Sequence, residues 1–353
     1  MGPRSPGSVR GPGTARGGGR ARGGGAARRA GVHFVAWGAV AGRSEEIASA
    51  LGGDARCFFP RGGRRSPVLV RWALSAFGTV ADVLARRPDV LVVTNPPCIA
   101  AIVGLAVGRA VGARVVLDSH PGAFGAQGDR VAARLQPLHR WVTRRADASI
   151  VASEPWRDIV ESWGTRAVVV HEAPGEWRME PPARQGRLRV LYVGRFATDE
   201  PWQAVLEAAA SCPELDVRVT GDWDRAGVDP SAVAPNVTLV GFLDPERYRR
   251  AVYDADVVVA LTTEPASVMR AGCEAVWAGR PLVVSDWPVA RAAFPYAVHV
   301  ANDGRALADA LSRLERSYDR WSATVQAART AQERRWEAQR SAILAAVAAP
   351  ADR

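Results

Sequence analysis

The stretch Val257–Asp286, VVVALTTEPASVMRAGCEAVWAGRPLVVSD, constrains the fold more than any other part of the chain. It reads as a buried strand, a short polar loop, a helix, a glycine stop and a second buried strand. Ser267 is a good N-cap and Gly279 a good stop, so the spacing predicts a helix that begins at Ser267 and ends before Gly279. Its first turn would present free backbone N–H groups above the sheet, a site suited to phosphate. Two turns further along, Glu274 is an acid inside an otherwise small and apolar helix. A phosphate cradle backed by a carboxylate suits a nucleotide diphosphate better than a plain core.

The same alternation runs along the whole chain. Apolar runs starting at Val32, Arg56, Val90, Arg114, Ser149 and Ala167 read as strands, and helical stretches separate them near 44–51, 68–85, 99–111, 130–145 and 155–162. Near-continuous apolar strands alternating with helices indicate a parallel sheet covered on both faces. A proline-, glycine- and charge-rich break follows at Glu172–Arg187, EAPGEWRMEPPARQGR, and reads as an interdomain linker. The alternation then restarts at Leu188 and ends in two helical stretches, near 305–316 and 318–347. The expected fold class is therefore α/β, two Rossmann-like domains facing a cleft, and 353 residues are enough for both cores. The expected boundaries are a tail at 1–30, a first domain at 31–175, a linker at 176–187, a second domain at 188–330 and a final helix at 331–348.

The net charge of +10 is uneven, because seven arginines and no acid lie in the first thirty residues. That Gly/Arg/Ala tail has no periodicity and is expected to be disordered. It suits a weak hold on an anionic lipid surface, and without an aromatic for base stacking it offers no specific nucleic-acid partner. It lacks an apolar h-region, so a cytoplasmic protein is expected, with room for peripheral contact at the inner face of the plasma membrane. All 46 basic residues are arginine, which excludes lysine Schiff bases and P-loop lysines. The four cysteines form no CxxC, and neither a zinc site nor a cofactor is indicated.

Ligands in open α/β sheets bind beyond the carboxyl ends of the strands. Asp118 and His120 sit at one such end, where the histidine could donate to a sugar hydroxyl or take a proton, with a turn-capping role as the alternative. Gly194 lets backbone approach a ligand, and Arg195 either neutralises a diphosphate or staples its loop to Asp199 or Glu200. Gly241 and Phe242 end another strand, where they either meet a base or pack in the core. Arg270, in the first turn of the helix after Ser267, opposes the helix dipole; a bound anion or a pair with Glu264 would explain it. His33, inside a strand, and His139, on an amphipathic helix, read as structural.

Together these residues resemble the GT-B glycosyltransferases, and more closely the retaining group-one, family-four type. The resemblance covers Val32 to about Val347 and rests on EAVWAGRPLVVSD, GRF at Gly194, GFL at Gly241 and NPP at Asn95. It implies a hexosyltransferase-like enzyme, independent of metal, acting on a nucleotide diphospho-sugar donor and a glycan, lipid-linked or small-molecule hydroxyl acceptor. By similarity Glu274 would hold the ribose hydroxyls, Arg195 with the backbone at Val268 and Met269 the diphosphate, and His120 would lie beside the transferred sugar. The long last helix resembles one that crosses back to the first domain. Two departures stand out. The family's second glutamate is replaced by Ala266, and its phosphate-gripping lysine falls where this chain has Asp199-Glu200-Pro201, so Arg270 is the expected substitute. Asp222-Trp223-Asp224 matches a manganese-binding pattern of other sugar transferases but reads here as a solvated loop. A nucleotide-sugar 2-epimerase and a degenerate GT-B binding protein are the competing readings.

Overall fold

The computed structural model describes residues 31–38, 42–59, 66–125, 130–177 and 179–348. The arginine-rich tail and its expected lipid contact lie outside the described residues. Among the described residues, two six-stranded sheets, parallel throughout, account for every strand. The first contains β1 (Val32–Ala36), β2 (Asp54–Cys57), β3 (Val90–Asn95), β4 (Arg114–Ser119), β5 (Ala148–Val151) and β6 (Ala167–Val169), in the order β2-β1-β3-β4-β5-β6. The second contains β7 (Arg189–Tyr192), β8 (Asp216–Thr220), β9 (Val237–Gly241), β10 (Val257–Ala260), β11 (Leu282–Ser285) and β12 (Val298–Val300), in the order β12-β11-β10-β7-β8-β9.

The valine-rich strands are buried because helices cover both faces of each sheet. The first domain carries α1 (Gly42–Ala50), α2 (Val68–Arg86), α3 (Cys98–Ala110), α4 (Arg130–Arg134), α5 (Gln136–Thr143) and α6 (Glu154–Ser162). The second carries α7 (Trp202–Ser211), α8 (Pro245–Asp254), α9 (Arg270–Trp277), α10 (Pro288–Ala293) and α11 (Gly304–Arg316). Each sheet reverses its winding once, between β1 and β3 and between β7 and β10. Those reversals open the crevices in which doubly wound sheets bind ligands.

Two expectations need correction. The helix after β10 starts at Arg270 with Met269 at its N-cap, so Ser267 does not cap it. Ser267 instead ends a turn, its N–H donating to the Glu264 carbonyl at 3.2 Å. The single helix expected over 130–145 breaks at Leu135 into α4 and α5, because Pro137 cannot donate to a preceding turn and opens a helix instead. The short helix α10, begun by Pro288, was not anticipated.

The last helix, α12 (Tyr318–Ala348), bridges the two domains. Trp336, Ile343 and Ala346 are buried in a cluster that also holds Val168 and Val170 of the first domain and Cys273 and Trp277 of the second. Gln332 Nε2 donates to the Cys273 carbonyl at 2.9 Å, and Gln339 accepts from the His171 N–H at 3.1 Å. No helix or strand lies between β6 and β7 among the described residues, and Trp177 of that segment stacks obliquely on Tyr253 at 5.6 Å.

Candidate functional site

At the β7/β10 crevice the loops are tied to one another before any ligand is considered. The Thr262 N–H donates to Ser285 Oγ at 2.8 Å, and the Thr262 carbonyl accepts from Trp287 Nε1 and Asn302 Nδ2. Thr263 N–H donates to the Asp199 carbonyl at 2.7 Å, which joins the β7 loop to the β10 loop. A platform fixed this way can hold a polar ligand with little reorganisation.

Gly194 is required by packing: a Cβ there would lie 2.6 Å from the Tyr192 ring. Beyond it, Phe196 is left-handed (φ 60°), and the N–H groups of Arg195 and Ala197 both donate to Glu200 Oε2, at 2.6 and 3.1 Å. Successive amides around a left-handed residue form an anion-binding nest. Here the buried Glu200 carboxylate fills it, so the acid at the expected lysine position serves as an internal anion. The staple to Glu200 therefore runs through the Arg195 backbone, and the exposed Arg195 side chain makes no ion pair among the described residues. Glu200→Ala leaves two amides without an acceptor and is expected to cost about 2 kcal/mol in urea unfolding.

Helix α9, which follows the crevice end of β10, has no side-chain cap; the Gly272 N–H donates to the Met269 carbonyl at 3.0 Å, and the Arg270 and Ala271 amides ahead of it have no acceptor among the described residues. One turn in, Glu274 is almost fully buried and oriented from two sides. Tyr248 of α8 donates its hydroxyl to Oε2 at 2.5 Å, and Arg270 Nε donates to Oε1 at 2.7 Å. Burial pushes the Glu274 carboxyl up, and Arg270 and Tyr248 oppose that push. A carboxylate has about four acceptor positions, so these two donors leave half of them for a ligand's hydroxyls.

Arg270 does not pair with Glu264. Its guanidinium lies between Glu274, Glu46 of α1 at 3.0 Å and Glu172 at 3.7 Å, which ties α9 to the first domain. Glu172 in turn binds Arg43 NH1 at 2.9 Å, and Arg43 Nε lies 3.6 Å from Asp118. Asp118 also faces His120 Nε2 at 3.3 Å. A chain of alternating charges thus runs from Asp118 through Arg43, Glu172 and Arg270 to Glu274, with His120 at its first-domain end and the Tyr248 hydroxyl at its second-domain end. Burial alone would raise Asp118, but Arg43 and His120 outweigh it and hold the carboxyl at about 2.

Glu46 is the loose end of this chain. Burial, with Glu172 and Glu274 nearby, pushes it from 4.5 up to about 7 against the pull of Arg270. A carboxyl raised in the folded state takes up a proton on folding, so its contribution is full below pH 4.5 and is lost as pH rises through about 7. Glu46→Gln is accordingly expected to raise Tm by a few degrees at about pH 8 relative to the parent and to change it little at about pH 5, in melts at both pH values.

Ala266 meets the first domain directly. Its carbonyl accepts from Ser153 Oγ at 2.6 Å, and its methyl packs on the cluster formed by Val151, Trp156 and Phe124. The family's glutamate would put an unpaired charge against that apolar surface, which accounts for alanine here. Val268 and Met269 are half-buried and pack on the core shared by both domains. Gly241 is left-handed (φ 71°), and Phe242 beyond it is 67% exposed, so it is not a core residue. His33 is bound by Asp54 and Asp82, and His139 is buried against Phe124 and Trp163; both are structural. Tyr248, Glu46, Glu172 and Arg43 were missed, because each contributes through partners distant in sequence and none lies in a local motif.

Two Rossmann-like domains joined by one linker, bridged by a final helix and facing each other across their strand ends, define the GT-B architecture. Residues 14–176 match the model of the Glycosyl transferase 4-like domain, and residues 195–344 match that of a Glycosyl transferase-like domain. The chain belongs to the group-one GT-B glycosyltransferases. No curated protein matches it. It is similar in fold to HepE of Anabaena, solved with UDP and glucose (TM-score 0.64, 16% identity, 90% of this chain and 99% of that one). Sucrose-phosphate synthase of Thermosynechococcus elongatus gives a TM-score of 0.67 at 16% identity over 89% and 97% of the two chains. A putative UDP-N-acetylglucosamine 2-epimerase of Listeria monocytogenes gives 0.58 at 12% identity over 84% and 91%.

Proposed function

We propose that this glycosyltransferase moves a sugar from a nucleotide diphospho-sugar to a hydroxyl acceptor, with the nucleotide held by the second domain. The observation that carries this reading is Glu274, a buried carboxylate fixed by Tyr248 and Arg270 yet with acceptor positions to spare, behind the uncapped start of α9. In this reading Glu274 accepts from the ribose hydroxyls, and Phe242 and the Gly241 backbone meet the base. Charge develops on the departing diphosphate, where the amides of Val268, Met269 and Arg270 leading into α9 and the Arg195 side chain stabilise it without a metal ion. Arg270 acts on Glu274 and on domain closure in place of gripping phosphate, since three carboxylates already engage it. The fold neighbour solved with UDP and glucose supports the donor class.

His120 then lies on the acceptor side, oriented by Asp118. The anomeric C–O bond to the diphosphate breaks as the acceptor oxygen bonds to the same carbon, and the acceptor's proton leaves with the diphosphate oxygen. Asp118 is buried, paired with Arg43 and strongly acidic, which makes it a poor nucleophile for double displacement, so the retaining outcome that the family resemblance implies would follow a front-face route. The acceptor side also has a cavity of about 260 Å³ lined by Trp37, Phe58, Phe59, Trp72, Pro96 and Pro97. Such a lining suits an acceptor with an apolar portion, as in glycolipid or lipid-linked polysaccharide synthesis at the inner face of the plasma membrane. Incubation with a panel of nucleotide sugars and lipid-linked or free glycan acceptors tests the reading by product mass and nucleoside diphosphate release. Acceptor-dependent release supports it. A sugar epimer formed without acceptor points to a 2-epimerase, and no turnover of any donor contradicts the proposal.

A further inference from the structure

Helix α2 is apolar over 19 residues, enough to cross a bilayer by length and composition, yet only 22% of its apolar window is buried. Its inner face ties it to the first domain. Asp82 binds His33 Nε2 at 2.7 Å, Thr79 accepts from Trp37 Nε1 at 2.9 Å, and Ser75 donates to the Phe58 carbonyl at 3.1 Å. Those polar tethers make α2 a domain helix that lies on a surface, not a span. Its outer face carries Leu69, Ala73, Phe77, Ala81 and Leu84, spaced three or four apart and exposed, with Leu69 at 71% and Phe77 at 76%. No charged side chain interrupts this stripe.

The surroundings identify what covers it. Helices α2, α3 and α5 pack through Val83, Leu105 and Val142 into one core cluster, so they share the face of the first sheet turned away from α12 and the second domain. Helix α5 lies on that face, and the stretch that contains it and the adjoining α4 exposes Val131, Leu135 and Trp141 among Arg134, Arg140, Arg144 and Arg145, with no acid in either helix. Arg145 lies over the Trp141 ring at 4.2 Å. Exposed aliphatic and aromatic side chains among arginines, with no acid in α4 or α5 and with the half-exposed Asp54 beside α2 neutralised by Arg86, match the boundary between acyl chains and anionic headgroups. The aromatic cavity beside α2 shares Arg71 and Trp72 with that helix and so adjoins the same surface.

We infer that the α2–α5 face of the first domain docks on an anionic lipid bilayer, with α2 lying flat in the interface. The inference rests on this surface alone and is independent of the sugar-transfer reading.

The test is co-sedimentation of the full chain with vesicles of mixed phosphatidylcholine and phosphatidylglycerol, in parallel with pure phosphatidylcholine vesicles. The chain is expected to pellet with the mixed vesicles, and Leu69→Gln with Phe77→Gln to weaken partitioning at least about tenfold. Both positions are exposed, so folding is checked simply by an unchanged melt. Arg140→Ala with Arg144→Ala should weaken binding to the mixed vesicles and leave the melt intact. The proposal is overturned if the chain ignores the mixed vesicles, or if binding survives Leu69→Gln/Phe77→Gln and vanishes with salt, which would assign it to the arginine tail. It is equally overturned if those two substitutions turn a dimer into a monomer by light scattering without changing vesicle binding.

Discussion

Glu274→Ala is expected to weaken nucleoside diphosphate binding by at least about 100-fold, since two hydrogen bonds from ribose hydroxyls to a carboxylate contribute about 1.5–3 kcal/mol each. The ribose assignment has a more specific signature than the loss itself. The parent protein should distinguish a nucleoside diphosphate from its 2′-deoxy form, and Glu274→Ala should bind both alike. Titration calorimetry of the two ligands against both proteins measures this directly. A parent protein indifferent to the 2′-hydroxyl, or a variant that still discriminates, would move the ribose elsewhere. Tyr248→Phe serves as the milder companion, because it removes one orienting bond to Glu274 and keeps the ring.

Arg270→Met is expected to have the second-largest effect, on stability as well as on the donor. The guanidinium is the shared partner of Glu46, Glu172 and Glu274, and removing it leaves three carboxylates close together. Breaking a fully buried ion pair costs about 3–5 kcal/mol, but Arg270 is 38% exposed and partly screened, so about 2 kcal/mol is expected. The loss should grow with rising pH. Glu46 already sits near 7 with Arg270 present, and without it the folded carboxyls hold protons to still higher pH, so ionising them opposes folding more. Urea unfolding at two pH values checks both size and direction, and a pH-independent loss would contradict the shared-partner account. Because Glu46 belongs to α1 and Glu274 to α9, the same variant should also loosen the domains, seen as increased scattering radius.

Most of the architecture was legible because it depends on local pattern. Valine-rich strands such as Val90–Asn95 and Val257–Ala260 are buried on both faces and read as continuous apolar runs, and the break after Glu172 separates two series of them. Errors came where one residue's local preference met a tertiary constraint. Ser267 has the right side chain for a cap, but it closes a turn onto the Glu264 carbonyl and the chain enters the helix two residues later, at Met269. Pro137 split a helix whose apolar periodicity runs through it. The site was half legible. Glu274 stood out as an acid among small residues, whereas its partners Tyr248, Glu46 and Glu172 are 26, 228 and 102 residues away in sequence, and no spacing rule reaches them. The departures at Ala266 and Glu200 were visible as substitutions, and their reasons were not. One methyl packs on the facing domain and one carboxylate fills a backbone nest, and both facts are properties of the folded chain.

The claim that the β7/β10 crevice holds a nucleotide diphospho-sugar is tested most directly by a thermal-shift titration of the full chain with nucleoside diphosphates and their sugars. A ligand at about 100 times its Kd should stabilise the protein by about 2.7 kcal/mol, so at least one nucleotide should raise Tm by several degrees. The same nucleotide should leave Glu274→Ala unmoved. If no nucleotide in the panel shifts the parent protein, or if Glu274→Ala responds as the parent does, the assignment of this crevice as the donor site is wrong.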